Sequence, residues 1–159
     1  YIQVKDLKTD IQMIRASSSL PLISNMVSIG GKKYLDGGIC DSIPLGRSIS
    51  DGNSKNVVVL TQAKGYSKKP NSLMPLIKMK YRKYPNLVYA AATRHIRYNN
   101  ALGLIDDLEK RGDIFVIRPP VPPNVGRTEK DRGKLEALYK TGYHAAEAAF
   151  DDLADYLAR

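Results

Sequence analysis

Tyr34-Leu35-Asp36-Gly37-Gly38-Ile39-Cys40-Asp41-Ser42-Ile43-Pro44-Leu45 places an acid on a glycine pair directly after a short apolar run. A carboxylate at a strand end, followed by two residues without side chains, can be approached closely by another chemical group. Glycine allows both φ > 0 and tight backbone contact. Asp-Gly is also a common hairpin turn, and taken alone the three residues read as one. Before the turn, Met26-Val27-Ser28-Ile29 and Lys33-Tyr34-Leu35 read as strands joined across Gly30-Gly31. After it, Pro44 suits the first turn of a helix, and Asp41 and Ser42 stand where an N-cap is needed. Capping is the preferred reading of Asp41 over a catalytic one.

Working outward, Asp6 to Ser17 reads as a helix with Ile11, Ile14 and Met13 facing inward. Ser17, Ser18 and Ser19 end it and line the wall behind the Asp36 turn, with Pro21 fixing the exit. No glycine flanks these serines, so they form no nucleophile elbow. Val57 to Leu60 reads as a fully buried parallel strand. Gln62 to Ser72 is a polar loop, followed by a helical region interrupted near Pro75 and Pro85. Asn86 to Arg111 makes one long helix or two, ending at Gly112 as C′. Ile114 to Ile117 is a second buried strand, stopped by Pro119-Pro120. Thr128-x-x-Asp131 resembles a capping box with aspartate for glutamate. Leu135, Leu138, Tyr139, Gly142, Ala146, Ala149, Phe150, Leu153 and Leu157 then recur at helical spacing and read as core. Strands alternating with helices argue for an α/β layered fold with a largely parallel sheet.

The 159 residues fit one domain, and such a chain buries about two thirds of its unfolded surface. The 43% hydrophobic and 26% charged composition is ordinary for a globular protein, and no apolar run is long enough to span a bilayer. A single cysteine, Cys40, excludes an internal disulfide, suits a reducing cytosol, and reads as a small buried residue rather than a nucleophile. With only His95 and His144 beside it, a zinc site is disfavoured. The net charge of +9 is localised. Between Asp51 and Asp106 there is no acidic residue and there are ten basic ones, while the remainder has 15 basic and 16 acidic residues. That excess points to an anionic partner.

Arg15-Ala16-Ser17-Ser18-Ser19-Leu20-Pro21, then Lys32 to Leu45 with its Asp-Gly-Gly, then Val57-Val58-Val59-Leu60, resembles the C-terminal half of the patatin-like phospholipase family. The resemblance is close over Thr9 to Leu60 and looser beyond. It implies a lipid acyl hydrolase with a serine–aspartate dyad and no cofactor, built on a three-layer α/β/α sandwich with a mainly parallel sheet. By the same resemblance Asp36 is the dyad aspartate, and Gly37 and Gly38 let the nucleophile turn approach it. The family's glycine-rich oxyanion loop and G-x-S-x-G elbow precede this region, and neither motif occurs in the 159 residues. The expectation is that residues 1–159 are the C-terminal part of one patatin-like catalytic domain. Half a dyad is inactive alone, and half a sheet calls for its other half, self-association or strand exchange.

In that reading a serine attacks the ester carbonyl while Asp36 orients it and takes its proton, since a serine hydroxyl is a weak nucleophile without a base in reach. Backbone N–H groups of the glycine loop hold the oxyanion. A Ser…Asp…His order could instead recruit His95 or His144. His95, among Arg94 and Arg97, reads as solvated, and His144 as lying at or beside the surface of the last helix. In Lys78-Met79-Lys80-Tyr81-Arg82-Lys83-Tyr84 cations alternate with Met and Tyr. The first reading is a solvated face with Tyr81, Tyr84, Leu87 and Val88 turned inward. The second is peripheral contact of a cytoplasmic protein with an anionic membrane, and nucleic acid comes third. A non-catalytic basic module binding either partner is the alternative to the hydrolase.

Overall fold

In the computed structural model, which describes residues 1–126 and 128–159, Asp6 opens the first helix. Its Oδ1 accepts the Lys8 N–H at 2.9 Å, and α1 (Leu7–Ser17) follows. Asp10 reaches back to accept the N–H groups of Lys5 at 2.8 Å and Asp6 at 3.3 Å. These two backbone donors, Lys5 foremost, hold the Asp10 carboxyl below its ordinary range. The elements after α1 are β1 (Val27–Ile29), β2 (Lys32–Tyr34), a 3₁₀ turn (Gly37–Ile39), α2 (Leu45–Ser50), β3 (Val57–Val59), α3 (Met74–Lys80), α4 (Pro85–Arg111), β4 (Phe115–Ile117), α5 (Arg132–Ala148) and α6 (Phe150–Ala158). The architecture is mixed α/β, with two units: Tyr1–Pro44 with Lys68–Ala101, and Leu45–Ser67 with Leu102–Arg159.

In the first unit β1 and β2 form the expected hairpin, pairing Val27 with Tyr34 and Ile29 with Lys32. Gly30 and Gly31 sit at φ 55° and 76°, the double left-handed turn that matches strand twist. The core is Ile39, Ile77, Tyr81 and Ala91, with Leu22, Met26, Leu35, Tyr84, Leu87 and Val88 packed on it. The inward reading of Tyr81 to Val88 therefore holds. That of α1 does not: Ile11 and Ile14 are exposed, Met13 is half-buried, and only Ala16 is buried. α1 meets β1 and the 3₁₀ turn, which leaves its isoleucines uncovered within this unit. Pro75 sits in the first turn of α3 and interrupts nothing, because its missing N–H is one of the helix's orphans. α4 is a single helix of 27 residues. Gly112, at φ 76°, ends it as predicted, with Asp113 N–H bonding Leu108 O and Gly112 N–H bonding Glu109 O, both at 3.0 Å.

In the second unit β3 pairs parallel with β4, Val57 opposite Phe115 and Val59 opposite Ile117. The strand expected to be buried on both faces is covered on one. Val58 and Leu60 are buried, Val57 is exposed, and Val59 is 69% exposed. Ile114 is buried and Phe115 to Ile117 are half-buried. Each sheet among the described residues has two strands. Tyr156 of α6 fastens this unit: its hydroxyl accepts the Asn56 N–H at 3.0 Å and donates to Asp113 O at 3.1 Å. Lys55 Nζ donates to Leu157 O at 2.6 Å, capping α6. Asp131, expected inside a capping box, is itself the N-cap of α5, accepting the Lys134 N–H at 2.9 Å. The stripe read as core is largely uncovered. α5 has no buried residue, and Leu135, Tyr139, Phe150 and Leu157 are exposed, Tyr139 at 72%.

Tyr156→Phe leaves a buried amide and a carbonyl without their partner. It should cost about 1–3 kcal/mol, read as a lower urea midpoint with unchanged slope. At the other end of the chain the sign is set by Asp10, whose pKa falls on folding. Its contribution is complete above the ordinary carboxylate pKa and disappears as pH falls through the lowered folded value. Amide protection at Lys5 and Asp6 should drop on acidification in wild type and start low, without that step, in Asp10→Asn.

Candidate active-site turn

Asp36 is fixed from in front by the end of α1, since its N–H donates to Ser19 O at 2.8 Å. Its own Oδ1 accepts the Gly38 N–H at 2.7 Å, which starts the 3₁₀ turn. Cys40 and Asp41 then both donate N–H to Gly37 O at 3.0 Å. The Asp-Gly-Gly motif is thus an N-capped 3₁₀ turn and not the hairpin that the three residues suggest when taken alone. Asp36 is half-buried, and among the described residues nothing hydrogen-bonds its Oδ2. One carboxylate oxygen is occupied in holding the turn and the other is open to accept a hydroxyl.

The glycines are needed for room. Neither Gly37 nor Gly38 has positive φ. A Cβ on Gly37 would lie 3.2 Å from Ser17 Oγ, and one on Gly38 would lie 2.9 Å from Asp36 Oδ1 and 3.6 Å from Arg94 Nη2. The bare faces of both glycines are therefore what lets α1, the carboxylate and α4 converge.

Two arginines that sequence reasoning left in the general basic excess complete the turn. Arg94 Nε donates to Gly38 O at 2.7 Å and to Ser42 Oγ at 3.3 Å. Arg97 Nε donates to Cys40 O at 2.9 Å, and its Nη2 to Ile39 O at 2.8 Å and Ala90 O at 2.6 Å. Three consecutive carbonyls are held by guanidinium groups one helical turn apart on α4. The arginine fork offers several donors in fixed geometry, which a lysine ammonium does not. Spacing at i and i+3 on a helix was the only sequence signal for this pairing.

The remaining candidates lie as follows. Ser42 donates to Gly38 O at 2.6 Å and so belongs to the turn rather than to a helix cap. Asp41 accepts the Ile43 N–H at 3.3 Å and the Tyr1 hydroxyl. Ser18 and Ser19 turn their hydroxyls to Ile14 O and Arg15 O of their own helix, in keeping with a terminating rather than nucleophilic role. Cys40 is exposed, not buried, because its place at the end of the 3₁₀ turn directs it away from the core. His95 is half-buried with a buried Nδ1 that has no hydrogen-bond partner, where a solvated ring was expected. No bond joins it to Asp36 among the described residues. His144 is exposed and pairs with Glu147 at 3.2 Å. Among the described residues no group of three or more His, Cys, Asp or Glu side chains could hold a metal ion.

Residues 6–47 match the family described as patatin-like phospholipase, a stretch that contains α1, the hairpin and all of Asp36, Gly37 and Gly38. The match lies in the N-terminal part of this chain and stops short of Val57–Leu60, which the sequence resemblance had included. Residues 84–158 match a second family, described as a domain of unknown function (DUF6363). No curated protein matches the chain. Arg94 and Arg97 lie in the second matched stretch and bond the turn of the first, within one structural unit.

Arg97→Ala strands the Ile39 and Cys40 carbonyls. Hydrogen bonds to a charged donor contribute about 1.5–3 kcal/mol, so protection of the Cys40 and Asp41 amides should fall by at least about tenfold. Arg82→Ala, outside the turn, should leave it unchanged. Equal protection in both variants would show that the turn holds without the guanidinium.

Proposed function

We propose that this chain carries the aspartate half of a serine–aspartate site in a lipid acyl hydrolase, an esterase or phospholipase of patatin-like type. The observation that carries the reading is the open Oδ2 of Asp36, on a carboxylate fixed through Oδ1 within the stretch that matches the patatin-like family. The serine and oxyanion donors come from a nucleophile elbow and glycine loop outside these 159 residues, which form the C-terminal part of the catalytic domain and are inactive by themselves. Two short parallel strands with Val57 and Val59 exposed fit one edge of a larger parallel sheet in a three-layer sandwich, since parallel sheets are covered on both faces.

In this mechanism the serine hydroxyl gives its proton to Asp36 Oδ2 as its oxygen bonds to the ester carbonyl carbon. The tetrahedral intermediate collapses, the alcohol departs, and Asp36 returns the proton to the leaving oxygen. Water then gives a proton to Asp36 as its oxygen bonds to the acyl carbon; the bond to the serine oxygen breaks, the carboxylic acid departs, and Asp36 returns the proton to the serine oxygen. Gly37 and Gly38 keep the approach to Oδ2 clear, and Arg94 and Arg97 keep the carboxylate from swinging with its turn. The substrate is a phospholipid or other acyl ester, met by a cytoplasmic protein.

The test is labelling of the full-length protein by a fluorophosphonate probe, with and without Asp36→Asn. General-base catalysis contributes about 10²–10⁴-fold, so the mutant labelling rate should fall by about that factor. Equal rates would leave a serine hydrolase with its base elsewhere, and His95→Ala and His144→Ala would be the next variants. No labelling of wild type would reject the hydrolase in favour of a non-catalytic basic module.

A further inference from the structure

Leu22 is the one non-glycine residue with positive φ among the described residues, at 70°. A leucine there costs about 1–2 kcal/mol, and such strain persists only where the surroundings impose it. Here the Leu22 N–H donates to Tyr81 Oη at 3.0 Å, and Tyr81 is buried in the core of the first unit. Ser24 N–H closes the loop on Leu20 O at 2.9 Å. The result is to hold Ile23 outward at 80% exposure, the highest of any large hydrophobic side chain among the described residues.

The loop adjoins α3. A shallow cavity of about 380 Å³ is lined by Ser24, Asn25, Met26 and Lys33 on one side and Lys80, Tyr81 and Tyr84 on the other. α3 buries Ile77 and leaves Leu76 and Met79 exposed, Met79 at 70%. Lys33 and Lys80 line that cavity, and Lys78, Arg82 and Lys83, on or just after α3, are exposed as well. The first unit has thirteen basic and four acidic residues, while the second has twelve of each. All of the chain's +9 therefore resides in the unit that presents Ile23 and Met79.

We propose that the Leu20–Asn25 loop and α3 form a docking face for an anionic lipid bilayer, with Ile23 and Met79 entering the acyl region and the surrounding cations meeting the headgroups. Charge complementarity selects the occupant. A solvated helix face accounts for the lysines but leaves unexplained an isoleucine held into water by a strained leucine. Single-stranded nucleic acid needs aromatic faces free to stack on bases, whereas Tyr81 is buried and Tyr84 is packed on the core. Apolar side chains flanked by lysine and arginine are the pattern of peripheral bilayer binding. This face goes beyond the hydrolase reading and requires no serine.

The chain contains no tryptophan, so an introduced one reports without background. Ile23→Trp and Met79→Trp are titrated with vesicles of pure phosphatidylcholine and of an equimolar mixture with phosphatidylglycerol. The expected result is a blue-shifted emission on the mixed vesicles alone, reversed at about 1 M salt, where the screening length shrinks to about 3 Å. Each Gln substitution at Lys78, Lys80, Arg82 or Lys83 should weaken partitioning about fivefold, and Met79→Asp by at least about tenfold. Tryptophan at exposed Val59, in the other unit, should not shift. Unshifted emission of both probes with vesicles that sediment the protein would overturn insertion, and so would a shift of equal size at position 59. Absence of binding at low salt, or binding only to a single-stranded oligonucleotide, would overturn the lipid partner. None of these readouts depends on turnover, so they fail or succeed apart from probe labelling at the active site.

Discussion

The guanidinium groups of Arg94 and Arg97 and the three carbonyls they hold decide whether Asp36 has a fixed position. A 3₁₀ turn of three residues closes its hydrogen bonds in poor geometry and leaves its last carbonyls without internal partners. Water could satisfy them, but then the turn could open and carry the carboxylate with it. Instead Gly38, Ile39 and Cys40 present their oxygens to one helix, which answers with charged donors in rigid forks. From the opposite side Ser19 O takes the Asp36 N–H. The acid is clamped between the end of α1 and the flank of α4, and the space needed for that convergence is what the two glycines provide.

Much of the local structure was legible because it rests on residues whose backbone chemistry is nearly unique. Gly30-Gly31 turned the hairpin, Gly112 closed α4, and Pro85 separated it from the helix before it. What misled was periodicity taken as burial. The stripe from Leu135 to Leu157 and the pair Ile11 and Ile14 are genuinely amphipathic, yet a pattern of apolar positions records which face wants a partner, not whether the partner is in the same unit. The same holds for β3, where three successive valines suggested two covered faces and one is covered.

That Asp36-Gly37-Gly38 forms a turn was readable from the sequence, but the reason for its glycines was not. Their conformations are ordinary and only their neighbours in space require them. Arg94 and Arg97 were hidden by the charge count, which treated ten cations as equivalent. Two of them spend their donors on backbone oxygens, while Lys78, Lys80, Arg82 and Lys83 stay in solvent. Composition could report the excess; only the fold separates the structural arginines from the cations that stay exposed.

The two matched stretches divide the chain differently from the way it packs. Residues 84–101 fall in the second match, yet they supply Ala91, Leu87 and Val88 to the first unit's core and both arginines to the Asp36 turn. The same unit ties the turn to the strained loop through very little chain. Ser19 bonds Asp36, and three residues later Leu22 bonds Tyr81, so the segment between them is anchored at both ends. The first anchor is backbone to backbone, and the second ends on the hydroxyl of a tyrosine buried in the core. A bilayer engaging Ile23 would therefore bear on a backbone segment whose other end holds the carboxylate in place. The turn that carries the carboxylate and the loop that carries Ile23 thus share one stretch of backbone, held at Ser19 and at Leu22.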